Sequence, residues 1–151
     1  MVIINNFATK DKDMTRKEFS DKLAQLRVER GVSKYAVCKH MERKYDQLWN
    51  MEDAAHNYTI AITLKFLEAI KYHLVLVKSS NKHTFNTSED FVEFFKNERE
   101  GVYSKLQLSK IINKSPDTIH SIEIYRRKLT IDMFLAISEA LGFTIEFEPY
   151  D

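Results

Sequence analysis

The sequence predicts a mostly α fold of two tandem units, each built of four helices and followed by a short β-strand. Three observations predict it. Only 3 Gly and 2 Pro interrupt 151 residues, of which 44% are hydrophobic and 12% aromatic. Such a chain can bury a core, and it has too few turn formers for a β-sandwich or a Gly-rich phosphate loop. Apolar residues also recur at three- and four-residue spacing along most of the chain. Finally, the sequence repeats itself. Shifted by 71 positions, Ser33 to Lys78 lies on Ser104 to Pro149 without a gap. Ser33/Ser104, Lys34/Lys105, Asp46/Asp117, Glu52/Glu123, Thr59/Thr130, Leu64/Leu135 and Glu68/Glu139 are among the identical pairs. Upstream the offset becomes 72, pairing Thr15/Thr87, Phe19/Phe91 and Arg27/Arg99. The slip of one residue falls near Gly31 and Gly101, where a turn can absorb it. The first unit is assigned to residues 1–79, a linker to 80–86 and the second unit to 87–151.

Each element follows in order. Thr15-x-x-Glu18 and Thr87-x-x-Asp90 start the first helices, the Thr hydroxyl accepting a first-turn amide and the acid favouring the positive helix end. The spacing predicts helices over 16–30 and 88–100, with Phe19, Leu23 and Leu26, then Phe91, Phe94 and Phe95, as the inward face. Ser33 and Ser104 cap second helices at 34–41 and 105–112. Third helices are expected at 44–51 and 115–122, the latter with Ser115 as cap and Pro116 at its first position. Thr59 and Thr130 cap fourth helices at 60–70 and 131–141. Tyr72 to Val77 reads as a strand apolar on both faces, and Phe143 to Glu148 as an alternating one. The first strand needs cover. Pairing with the second inside the chain is the simplest cover, and pairing between chains, giving a homodimer, is the alternative. Ser79 to Thr84 is polar and reads as linker.

Composition narrows the function. With 23 basic and 22 acidic side chains the net charge is +1, which taken alone disfavours nucleic acid. Cys38 is a lone cysteine, so no internal disulfide and no Cys-based zinc site is expected. His40, His56, His73, His83 and His120 are dispersed, and nothing stands at triad or metal spacing. No catalytic residue, metal ligand or cofactor is therefore assigned, and the chain is not read as an enzyme. No apolar run approaches the ~18 residues of a membrane span. Met1 to Phe7 is too short, and lacks the basic start, for a signal peptide. A cytoplasmic protein with no membrane partner is the expectation.

The stretch 33–52, repeated at 104–123, carries the functional reading. Two short helices meet at a tight turn. Leu108, Ile112, Ile119 and Ile122 form the inner face in one copy, and Val37, Met41, Leu48 and Met51 in the other. The small Cys38 and Ser109 let the third helix cross close over the second. The turn needs a residue tolerant of the left-handed conformation, and Asn113 supplies it in the second copy. Here Ser104 to Glu123 resembles the helix-turn-helix of the phage-repressor, Cro and Xre-type family, which has a Ser or Thr start, a small residue, a turn Gly, "Ser-x-x-Thr-Ile" and a terminal Glu. Thr130 to Phe143 resembles that family's fourth helix and its "Ala-Leu-Gly" ending. Ser33 to Glu52 departs from the pattern, with Glu42 at the turn-Gly position and Arg43 where a small apolar residue is usual.

The resemblance implies two lambda-repressor-like units and binding to double-stranded DNA, with each third helix in the major groove. Carried over position by position, the base-facing residues of the second unit are Ser115, Pro116, Asp117, Thr118 and Ser121. Lys105 and Gln107 match positions that touch backbone or bases. In the first unit the matching residues are Lys34, Lys44, Tyr45, Asp46, Gln47 and Asn50. The Gln47 and Asn50 amides suit adenine, and Lys44 suits guanine or phosphate. Trp49 reads equally as a packing or a contact residue. Arg126, Arg127 and Lys128 follow the third helix, where the family touches phosphate. Local charge agrees: 102–130 holds six basic and two acidic side chains, +4, whereas 27–58 holds six and five, +1. Two functions follow. One is a sequence-specific transcriptional regulator using both units. The alternative is an antitoxin-like or accessory module in which only the second unit binds DNA and the first carries a protein partner.

Overall fold

A computed structural model describes residues 14–150. The run Met1 to Phe7, and with it the signal-peptide reading, lies outside the described residues. The described chain is mostly helical, with eight helices and one three-stranded antiparallel sheet. The elements are α1 (Arg16–Arg30), α2 (Lys34–Met41), α3 (Tyr45–Glu52), α4 (Ile60–Ala69), β1 (Tyr72–Lys78) and β2 (Asn81–Thr84). They continue with α5 (Ser88–Glu100), α6 (Lys105–Ile111), α7 (Thr118–Glu123), α8 (Ile131–Ala140) and β3 (Thr144–Pro149). None of these helices is long and apolar enough to cross a membrane.

The helix starts are where the capping residues place them. Thr15, Ser33, Thr59, Thr87, Ser104 and Thr130 each accept a first-turn amide on the side-chain oxygen. Thr15 with Glu18 and Ser104 with Gln107 close full capping boxes. The offset change also has a local cause. After α1, Gly31 is left-handed at φ 73°, and the Val32 amide reaches back five residues to the Arg27 carbonyl. After α5, Gly101 stays right-handed, and the Tyr103 amide reaches back four residues to the Arg99 carbonyl. The second turn is thus one residue shorter.

Matched residues of the two copies make matched bonds. The Arg27 guanidinium donates to both Glu52 carboxylate oxygens at 2.6 and 3.1 Å, and to the Val32 carbonyl at 3.0 Å. Arg99 donates to Glu123 at 2.6 and 3.0 Å, and to the Tyr103 carbonyl at 2.9 Å. Each pair ties the first helix of its copy to the end of the third. Arg99–Glu123 is buried on both sides and Arg27–Glu52 on the carboxylate side, and removing one partner of a buried pair costs about 3–5 kcal/mol, because the other charge is left without water or partner. Left-handed residues also recur in step: Glu42 with Asn113, Ala54 with Tyr125 and Lys71 with Gly142.

The two copies meet through a local twofold axis. Val75 and Glu146 are equivalent positions and pair with each other, so their neighbours exchange partners, Leu74 with Phe147 and Leu76 with Ile145. Thr59 likewise bridges its own counterpart, Thr130. The Ile60 amide donates to the Leu129 carbonyl at 2.9 Å, and the Ile131 amide to the Tyr58 carbonyl at 2.7 Å. Such self-pairing of equivalent positions is the geometry of an isologous contact. Reciprocally, α1 packs on α8 and α4 on α5.

The sheet order is β2-β1-β3. The closing strands therefore pair with each other inside the chain. Leu74 and Leu76 face the core, beside the half-buried Ile145 and Phe147. On the other face Val75 is fully buried, and the Lys82–Glu148 ion pair spans β1 on that side. The segment read as linker departs from expectation, since residues 81–84 form β2. Its polar sequence carries no strand signal; it pairs because β1 would otherwise expose an edge. One continuous core runs through both copies, with Phe19 ringed against Phe147 at 5.4 Å across the seam.

Candidate nucleic-acid interface

In the first copy α2 ends at Glu42, whose φ of 57° and ψ of 43° are left-handed. In the second the turn residue is Asn113, at φ 59°. The departure of Glu42 from the turn pattern thus leaves the turn unchanged; a glutamate occupies it at a steric cost. Behind both turns lies a small buried residue. Ser109 has no exposed surface, and its Oγ accepts the Ile119 amide of α7 at 3.1 Å. Cys38 is buried at the matching crossing, and burial, with the Glu52 carboxylate adding, pushes its thiol up. A thiol so protonated is a packing group.

On α3 the candidate readers face outward. Lys44, Tyr45, Asp46 and Gln47 are exposed and Asn50 half-buried. Among the described residues the Lys44, Gln47 and Asn50 side chains make no hydrogen bond. Beneath Gln47 and Asn50 lies an open crevice of about 200 Å³, floored by Met41, Leu48, Met51, Tyr58 and Ile62. Lys34 folds back instead of reaching out. Its Nζ sits 3.6 Å above the Trp49 ring and 3.9 Å from Glu52. Trp49, 48% exposed, also stands near the Tyr45 ring, and Tyr35 is 70% exposed. Sequence reading left this aromatic face undecided. The signal for it was Tyr45 and Trp49 at i, i+4, both off the apolar stripe of α3.

The second copy differs at the same positions. The turn Ser115 to Thr118 closes on a Thr118 amide to Ser115 carbonyl bond of 3.1 Å, so α7 starts at Thr118 rather than at 115. Ser115 is not its cap and Pro116 is not its first residue. Pro116 instead takes the second place of a four-residue turn, where its fixed φ fits. Asp117 is the N-cap residue and makes no side-chain cap bond.

The expected readers Thr118 and Ser121 are buried, at 1% and 3% exposure. The Thr118 hydroxyl pairs with Ser115 at 2.9 Å, and Arg127 approaches it at 3.5 Å. The Ser121 hydroxyl donates to Asp117 at 3.0 Å. Both side chains are short and satisfied locally, so they turn inward. Gln107 is held by its capping box through a 2.8 Å bond from the Ser104 amide. Lys105 donates to His120 Nδ1 at 3.0 Å, the counterpart of Lys34 on Trp49.

The basic loop after α7 is held in place. Tyr125, left-handed at φ 63°, donates its hydroxyl to Glu93 at 2.6 Å, and that bond pushes the phenol up to about 12. The Arg126 and Arg127 amides donate to the Ser121 carbonyl at 2.9 and 3.1 Å. The Arg126, Arg127 and Lys128 side chains are exposed. Among the described residues, no group of three or more His, Cys, Asp or Glu gathers as a metal site.

No family model, curated protein or solved structure matches this chain.

Proposed function

We propose that the chain is a sequence-specific DNA-binding protein, a transcriptional regulator that works as two helix-turn-helix units of the lambda-repressor type fused into one molecule. The observation that carries this reading is the local twofold axis, marked by Val75 on Glu146 and Thr59 on Thr130. Dimeric helix-turn-helix proteins use such an axis to set two recognition helices on successive major-groove faces, ~34 Å apart. One chain with an internal axis can do the same without assembling. The free amides on α3 and the +4 charge of 102–130 support the reading.

The test is retention on a pool of genomic fragments across a salt series. Specific fragments should be enriched, with one chain per site and affinity falling steeply as salt rises. A pool with no enrichment, even at low salt, overturns the reading.

A second reading, in which the first unit docks a protein, is favoured by the exposed Tyr35, Tyr45 and Trp49. Trp49→Ala separates the two. It weakens binding to the selected fragment if the face meets DNA, and leaves it unchanged if the face meets a protein.

A further inference from the structure

We infer that the two units divide the task, the first reading bases and the second only anchoring the duplex, so that the recognised site is non-palindromic with one specified half. This rests on the DNA-binding reading above and adds which residues select.

The argument is a comparison of equivalent positions, each separated by 71 residues: Tyr45 with Pro116, Gln47 with Thr118, Trp49 with His120 and Asn50 with Ser121. In the first unit these side chains are exposed or half-buried, and the two amides are unbonded. In the second unit Pro116 is exposed, His120 half-buried, and the other two counterparts are buried. Pro116 has no donor. Thr118 and Ser121 are buried, their hydroxyls taken by Ser115 and Asp117. His120 spends Nδ1 on Lys105. The acid at the start of the third helix is common to both units, Asp46 and Asp117, and differs only in that Asp117 accepts the Ser121 hydroxyl.

Charge runs the other way. Lys110, Lys114, Arg126 and Lys128 are exposed in the second unit, inside a stretch of charge +4 against +1 for 27–58. Cations on a rigid loop attract any phosphate backbone, whatever its sequence. An exposed carboxamide donates and accepts together, and so matches the N6 and N7 edge of adenine. The specified half-site is therefore expected to carry adenine opposite Gln47 and Asn50, and the other half to tolerate any sequence.

The experiment is selection of the full chain on a random duplex pool, repeated with Gln47→Ala/Asn50→Ala and with Lys114→Ala/Lys128→Ala. The expected consensus occupies one half-site. The first variant should erase it, each substitution weakening the selected site roughly 5- to 150-fold with little change on scrambled DNA. The second variant should keep the consensus while weakening all sequences alike and lowering the salt slope by about 2. A symmetric consensus with two equal halves overturns the division, as does one that survives the first variant; both leave DNA binding standing. Absence of any enrichment by the parent chain overturns DNA binding and the division together. All four substituted side chains reach the surface, so melting temperatures close to the parent's are expected and confirm folded variants.

Discussion

Tyr58 is the point at which one copy of the repeat turns polar inside. Its hydroxyl lies 2.7 Å from that of Ser20, and Tyr58 is only 7% exposed. The counterparts are Val92 and Leu129, an apolar pair buried to the same degree. Burial pushes the phenol up to about 12, against the opposing effect of the Ser20 hydrogen bond. An unfolded tyrosine ionises near 10. The folded state therefore holds its proton more tightly. The contribution to stability is complete below pH ~10 and is lost as pH rises from there towards 12, about 2–3 kcal/mol in all. Urea melts between pH 9 and 11.5 should show the parent losing stability more steeply than Tyr58→Phe, which has no phenol to ionise. Parallel slopes would mean that the phenolate is accommodated in the fold. Nothing in the sequence showed this pair, because Ser20 and Tyr58 are 38 residues apart and meet only through packing.

At the scale of elements, much was legible because caps and periodicity act locally. Six side-chain caps and the strands near 72 and 144 stand where the sequence places them. What failed depended on tertiary competition. The start of α7 moved because Ser115 bonds Thr118 instead of capping a helix. Thr118 and Ser121 stand where the resemblance expects readers, yet sequence does not say whether a short hydroxyl turns outward or folds onto a neighbour. β2 went unread because Asn-Lys-His-Thr has no apolar alternation. The turn after α2 can be tested directly. Glu42 occupies a left-handed conformation at about 1–2 kcal/mol, a cost that glycine avoids while losing about 0.5–1 kcal/mol of chain entropy. Glu42→Gly should thus raise the melting temperature by a few degrees, while Asn113→Ala should lower it. Destabilisation by Glu42→Gly would show that the glutamate makes up for its strain elsewhere.

Across the whole molecule, the repeat and the near-neutral charge both change meaning. The +1 total is a sum over unlike surfaces, −4 for residues 84–151 yet +4 for 102–130 within them. A 65-residue half is a marginal folding unit, since it leaves much of its surface exposed. Here the halves share a sheet, pack α1 and α5 across the axis as well as on their own copies, and bury one continuous core. Neither half keeps its inner strand face or its Thr59–Thr130 bridge without the other. Unfolding should therefore be a single cooperative event. Trp49 is the only tryptophan and lies in the first unit, so its fluorescence reports that unit, whereas far-ultraviolet circular dichroism reports helices of both. The two denaturation curves should share one midpoint, and residues 80–151 expressed alone should show no sigmoidal transition. A tryptophan curve that precedes the dichroism curve, or a cooperative melt of the fragment, would make the halves independent domains and the twofold seam a docking contact rather than part of the core.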